Sequence, residues 1–319
     1  MSAKFIGPGL VLLFCVSQAF RDVYFANVFQ GIDFFVVIIV AFTLAIVVFG
    51  GVALLRNPVE FIRLRGEIAA LFWMNALTAL AWTSYFFSLK YQQPSIVNAL
   101  HSGAAPLTVV ILARFGIHIA RPSPMHRIEP LGYLGVAGSL LFLWWVVLAD
   151  RSGLRAHDPA VSLAGIVLPL VSGTAITISA LWTKRLHERG IGAETVTAMR
   201  YVLIVGIAWI VVRSGQRSSG IGTPDQFMLL AVAAMALIVL PLYCLQLGIA
   251  RTTPLTTHTI RALGPAVVLG MELLDGRIRY SGAVLVGIAL YSVFAVVSNL
   301  LHGRQRDSDL ERGMVKGRA

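Results

Sequence analysis

Ten apolar stretches, each long enough to cross a bilayer, fill most of the 319 residues, and they fall into two sets of five. We place them at roughly 8–27, 31–55, 68–89, 94–116, 131–149, 160–183, 194–213, 226–249, 254–274 and 280–301. Each is close to the ~20 residues that a helix needs to span a ~30 Å hydrocarbon core. An odd number of spans per set forces the two sets into opposite orientations. That arrangement lets a transporter build one site reachable from either side.

Lipid is the solvent this composition demands. Hydrophobic residues make up 57% and charged residues 13%, against about 25% charged in a soluble domain. The period-2 pattern of barrel strands is absent, so the expected fold is an all-α integral membrane protein, with ten transmembrane helices as two inverted five-helix repeats. The repeats take residues 1–150 and 151–301, and a charged tail, expected to be disordered, takes 302–319. Loops around 117–130, 150–159 and 214–225 are about a dozen residues each, which excludes a large soluble module.

The net charge of +11 follows the positive-inside rule better than it fits a nucleic-acid partner. With both termini inside, sixteen of the 26 Lys and Arg fall in inner segments, seven fall in outer ones and three (Arg21, Arg200 and Arg261) fall within spans. The expected location is a cell inner or plasma membrane, multi-pass, with cytoplasmic N- and C-termini. The apolar N-terminus runs into Arg21 and Asp22 where a cleavage site would need small residues, so it reads as a retained first helix. Cys15 and Cys244 lie in apolar spans and read as small core residues.

Pairing residues at an offset of 160 places Ala76, Leu77 and Leu80 on Ala236, Leu237 and Leu240, and Pro94 on Pro254. A one-residue gap then brings Pro106 onto Pro265. The stretches "ALTALAWTSYFFSLKYQQPSIVNALHSGAAPLTVVILARF" and "LPLYCLQLGIARTTPLTTHTIRALGPAVVLGMELLDG" resemble the ends of two EamA-type repeats. "ALWTKRLHERGIGAETVTAMRY" is similar to the region where an Arg opens the second helix of such a repeat. The chain thus resembles the ten-helix branch of the drug/metabolite transporter superfamily. It departs from the pattern at Ala41 and Phe42, where an Arg is often seen, and at "SQAFRD", where Trp-Gly is usual. The resemblance implies an exporter working by alternating access.

Ionisable groups inside a membrane are costly and default to functional candidates. The same offset places Asn98 and His101 on His258 and Arg261, each pair on one helix face. His101 and Arg261 each lie seven residues past a span-opening proline, roughly 10 Å deep from opposite sides. They should bracket the midplane, where a substrate site is expected. Arg261 keeps its charge and offers a planar fork for carboxylate or phosphate. His101 and His258 could donate hydrogen bonds or titrate. With no acid placed in mid-span nearby, an anionic or zwitterionic carboxylate such as an amino acid is favoured as the small-molecule substrate. The alternative is that Arg261 snorkels and the histidines bond to backbone carbonyls.

Asn75, Thr78, Trp82 and Tyr85 form a polar and aromatic stripe on span three, either a cavity wall or a helix-packing face. Tyr243 and Gln246 repeat the case on span eight. Asp22 is the acid of the first four spans and the candidate for proton coupling, unless it neutralises an arginine. As neighbours on a helix, Arg21 and Asp22 should point apart, while Gln18 shares a face with either. Arg200 reads as a snorkelling anchor. Pro106, Pro169, Pro241 and Pro265 are candidate kinks. No Gly-x-Ser-x-Gly elbow, metal-spaced His pair or Gly-x-x-x-x-Gly-Lys-Ser/Thr loop occurs, so neither enzyme chemistry, metal, cofactor nor ATP is expected. A lipid-linked sugar carrier or flippase of the same fold is the rival reading. The oligomeric expectation is a monomer or weak homodimer.

Overall fold

A computed structural model describes residues 5–31, 33–115, 129–153, 158–214, 224–252, 254–276 and 279–316. Side chains are described within these except at 25–31, 129, 224, 226, 246, 250, 254, 255, 258 and 302–316. The long stretches 116–128, 154–157 and 215–223 of the expected loops lie outside the described residues.

The helices are α1 (Ile6–Gly31), α2 (Phe34–Arg56), α3 (Val59–Arg63), α4 (Ile68–Tyr91), α5 (Pro94–Arg114), α6 (Glu129–Leu148) and α7 (Pro159–Glu188), followed by α8 (Ala193–Met199), α9 (Val202–Arg213), α10 (Pro224–Ala234), α11 (Leu240–Ala250), α12 (Pro254–Ala262), α13 (Gly264–Asp275) and α14 (Gly282–Lys316). No strand occurs among the described residues. Among the described residues, eight helical segments are both long and apolar enough to cross a membrane. The chain is therefore a multi-pass, all-α membrane protein. α4 has the length, 24 residues, but carries the polar stripe. The stretch 254–275 is divided at Leu263.

Local chemistry sets the ends. Asp33 caps α2 by accepting the Phe35 N–H at 2.9 Å, and Asp158 caps α7 by accepting the Ala160 N–H at 2.9 Å. Pro159 stands in the first turn of α7, where a missing N–H costs nothing. Gly276, at φ 70°, closes α13 in the left-handed conformation that glycine adopts freely.

The interior departs from ten straight rods. The expected span 194–213 breaks at Arg200–Tyr201 between α8 and α9. A π turn, Met235–Val239, joins α10 to α11 just before Pro241. Pro265 follows the break between α12 and α13, whereas Pro106 and Pro169 sit inside continuous helices. A proline removes one donor; whether the helix breaks depends on what satisfies the freed carbonyl. α14 runs on as helix through Lys316, where the polar composition points to disorder. Its tail is free of proline and holds Leu, Arg, Gln and Glu, which favour helix.

α4 packs along α7, and α1 along α11. α5 lies against α7, while α1 lies against α12 and α13. α2 meets α8 and α9, α5 meets α13, and α6 meets α14. Between lipid-soluble helices, association comes from close packing, so small residues line the contacts. A Cβ at Gly173 of α7 would clash with the His101 carbonyl oxygen of α5. One core joins α2, α4 and α9, with Phe42 stacked on Tyr201 at 4.4 Å and 8°. A second joins α5, α6 and α14 through Leu100, Leu143 and Ile288. Outward-facing Leu55, Leu134, Leu141 and Ile210 are exposed, as lipid contact requires.

Candidate functional site

α1, α5, α12 and α13 enclose a pocket lined by Cys15, Gln18, Asn98, His101, Ser102, Arg261, Gly264 and Val268. His101 and Arg261, expected to bracket the midplane from opposite sides, meet here. Asn98 joins them from one turn earlier on α5. Arg261 is exposed and forms no ion pair among the described residues. The break at Leu263 also brings the start of α13 to the pocket through Gly264, adding the positive end of a helix dipole beside Arg261. The free volume is ≈ 20 Å³, about that of a single water site. A metabolite enters only if the helices part.

Behind Asn98 lies a closed polar network. Asp22 Oδ1 accepts from Arg21 Nε at 2.8 Å and Nη2 at 2.6 Å. Asp22 Oδ2 accepts from the Tyr85 hydroxyl at 2.6 Å and Asn98 Nδ2 at 3.2 Å. Four donors fill the carboxylate's acceptor sites. The Arg21 guanidinium also lies 5.3 Å from the Trp82 ring centroid and 5.7 Å from that of Tyr85, within cation–π range. Arg21 and Asp22 do not point apart as their adjacency suggests. The long arginine side chain curls back, because leaving either charge unpaired in an apolar interior costs more than bending it.

His101 has a second chain of contacts. Its Nδ1 lies 3.0 Å from Ser172 Oγ, and Ser172 donates its hydroxyl proton to the Ala81 carbonyl at 2.7 Å. Its ring meets Tyr85 edge-on at 4.8 Å.

Other expected residues lie elsewhere. Asn75 donates to the Leu71 carbonyl at 3.0 Å and accepts the Leu203 N–H at 3.2 Å, so it serves the break between α8 and α9. Thr78 bonds to Ser179 at 2.8 Å across the α4–α7 contact. The stripe on α4 therefore divides: Trp82 and Tyr85 belong to the Arg21–Asp22 network, and Asn75 and Thr78 hold helices together. Tyr243 is exposed beside Phe49 of α2, at 6.0 Å between ring centroids, away from the pocket. The side chains of His258 and Gln246 lie outside the described residues. Arg200 is half-buried at the α8–α9 break, with Nη2 3.5 Å from Ser179 Oγ.

Sequence reasoning missed Ser172 and Glu272. Glu272 stands in the same span as Arg261, where no acid was placed, yet it turns away. Its Oε1 accepts the Ser95 N–H at 2.7 Å and its Oε2 accepts from Gln93 Nε2 at 2.8 Å. The signal was present in "VVLGMELLDG": an acid inside an apolar run is costly and needs a partner.

No family model matches the chain, and no curated protein matches it. A solved structure described only as a crystal structure of a protein is similar, with TM-score 0.59 at 18% identity, covering 95% of this chain and 98% of that chain. At that identity the likeness is one of fold.

Proposed function

We propose that this chain is a secondary transporter that moves a small carboxylate-bearing metabolite, such as an amino acid, outward by alternating access. The observation that carries the reading is Arg261: a permanent cation, unpaired by any described carboxylate, lining a pocket that both halves of the chain build. A cation within a membrane-spanning segment without a counterion is expensive, and a substrate carboxylate would supply one in bidentate geometry. The start of α13 adds to the same attraction.

The packing supports ten spans in two inverted repeats. Exchanging each span for the one five places on maps α4–α7 onto α11–α1 and α5–α7 onto α12/α13–α1. It maps α5–α13, α2–α8/α9 and α6–α14 onto themselves. Such two-fold pairing is what inverted repeats produce. The similarity to EamA-type drug/metabolite transporters, the cytoplasmic placement of both termini and the outward direction belong to the same proposal. Asp22 is the proton-coupling candidate; protonating it would weaken its grip on Arg21, Tyr85 and Asn98 together.

The test is metabolite profiling of cells and medium for wild type, Arg261→Ala and an empty vector. A carboxylate compound released by wild type alone is the expected result. Release that is undiminished in a folded Arg261→Ala protein removes Arg261 from the path. No small-molecule difference at all moves the reading to a lipid-linked carrier.

A further inference from the structure

Two hydrogen-bond chains that end at the pocket fix the polarity of its wall opposite Arg261. The first begins at the Arg21–Asp22 pair. Asp22 is a carboxylate facing four donors, so the Asn98 atom directed at it must be the amide nitrogen. That nitrogen also donates to the Tyr85 oxygen at 3.2 Å, whose own proton goes to Asp22. These two oxygens lie only 2.6 Å apart, so one amide N–H of Asn98 is shared between them. Its Oδ1 is left as an acceptor facing the pocket, where a Cβ on Gly264 would lie 3.4 Å away. Because residue 264 is glycine, the space before that oxygen stays open.

The second chain begins at the Ala81 carbonyl. Ser172 has one hydroxyl proton, and it goes to that carbonyl at 2.7 Å. Toward His101 the serine oxygen can only accept, so Nδ1 of His101 carries the ring proton. In the neutral imidazole Nε2 is then an acceptor, and it has no partner among the described residues.

We propose that Asn98 Oδ1 and His101 Nε2 form an acceptor pair that reads an N–H-bearing ammonium group beside the substrate's carboxylate, making the site selective for zwitterions over simple carboxylate anions. The carboxylate goes to Arg261 and the first turn of α13, and the ammonium goes to the acceptor pair. A plain carboxylate would leave both acceptors unpaired and lacking water, and a dianion would meet two lone pairs. Ser172 is a positioning residue that acts through the tautomer of His101. This inference rests on the carboxylate-transport reading above and adds the group that the transporter uses to choose among carboxylates.

The test is equilibrium binding to the purified full chain in detergent, followed by intrinsic tryptophan fluorescence. The probes are the standard amino acids one at a time and the desamino acid of each. The readout is the affinity ratio of the tightest amino acid to its desamino partner. We expect a ratio of about tenfold to a hundredfold, the usual consequence of leaving buried acceptors unpaired. His101→Phe and Ser172→Ala should each bring the ratio down toward unity in protein that keeps its thermal unfolding profile. Ser172→Ala lies outside the pocket and is the milder change, so it serves where His101→Phe disturbs folding. A structural role alone would weaken both ligands alike and leave the ratio standing. Equal binding of amino acid and desamino acid to wild type overturns the acceptor pair and leaves the carboxylate reading intact. A ratio unmoved by either variant overturns it as well. Binding of neither set overturns both readings.

Discussion

Glu272 Oε1 accepts the backbone N–H of Ser95 at 2.7 Å across 177 positions of sequence, so an acid near the end of α13 caps the first turn of α5. The reverse arrangement occurs at the other end of α4. There Glu60, from the short α3, accepts the Gly192 N–H at 2.9 Å and the Thr195 hydroxyl at 2.5 Å at the start of α8. Since α4 is about 36 Å long at 1.5 Å per residue, the two clamps hold opposite ends of the bundle. Each half of the chain thus supplies a carboxylate to a helix N-terminus of the other, where the dipole and the free N–H groups favour an anion.

Glu272 is 1% exposed and its donors are buried with it. Glu272→Ala should lower stability by about 1–3 kcal/mol, because the Ser95 N–H and Gln93 amide are left without an acceptor. Glu272→Gln, which keeps an oxygen, should cost less. Thermal unfolding in detergent measures both, and an unchanged midpoint for the alanine variant would show that the cap is dispensable.

Glu60 lies outside the spans and gives a pH signature. Burial pushes its carboxyl upward, but hydrogen bonds from Thr195, the Gly192 N–H and Asn57, with the Arg63 charge nearby, outweigh that and hold it below the ordinary carboxylate range. A group whose folded-state pKa is depressed adds stability above its unfolded value, about 4.3. That stability is lost as pH falls through the lower, folded value. The unfolding midpoint of wild type should therefore decline more steeply below about pH 4.3 than that of Glu60→Gln. Parallel curves would sink the assignment.

The Arg21–Asp22 pair is buried, with side chains 5% and 0% exposed. Asp22→Ala strands a guanidinium and should cost about 3–5 kcal/mol. Adding Arg21→Met to it should restore part of that loss, so the two changes are non-additive. A double-mutant cycle on unfolding free energy reads the coupling directly; simple additivity would mean that the pair is not held as described.

Gly173 and Gly138 make a matched contrast. An alanine at 173 would drive its Cβ into the His101 carbonyl, whereas the space at 138 is open. Gly173→Ala should force α7 from α5 and destabilise by about 1–3 kcal/mol. Gly138→Ala should be neutral or stabilising by up to about 1 kcal/mol through helix propensity. Yields of monodisperse protein and unfolding midpoints decide it.

The membrane fold, eight of the apolar spans and the depth of His101 and Arg261 along their helices were legible in sequence, whereas their convergence on one pocket was not. Hydropathy reports solvent directly, and counting residues from Pro94 and Pro254 reports depth along a helix axis. Tyr243 and the split of the α4 stripe were not legible. Periodicity says that residues share a face, but not which neighbour that face meets. Asn75 and Tyr85 lie on the same stripe, and one ends at a helix break while the other ends at Asp22.

By itself, the sequence determined that this chain lives in lipid as helices, because so apolar a composition leaves few polar groups to satisfy outside the backbone. It also determined that a few charges lie within the membrane-spanning stretches. Tertiary structure alone decided how those charges are spent: Asp22 on Arg21, Glu272 on the start of α5, and Arg261 on no carboxylate among the described residues. That allocation depends on distances of about 3 Å between residues far apart in the chain, and hydrogen bonds and ion pairs weaken steeply beyond such distances. One-dimensional spacing fixes depth and face but not those distances.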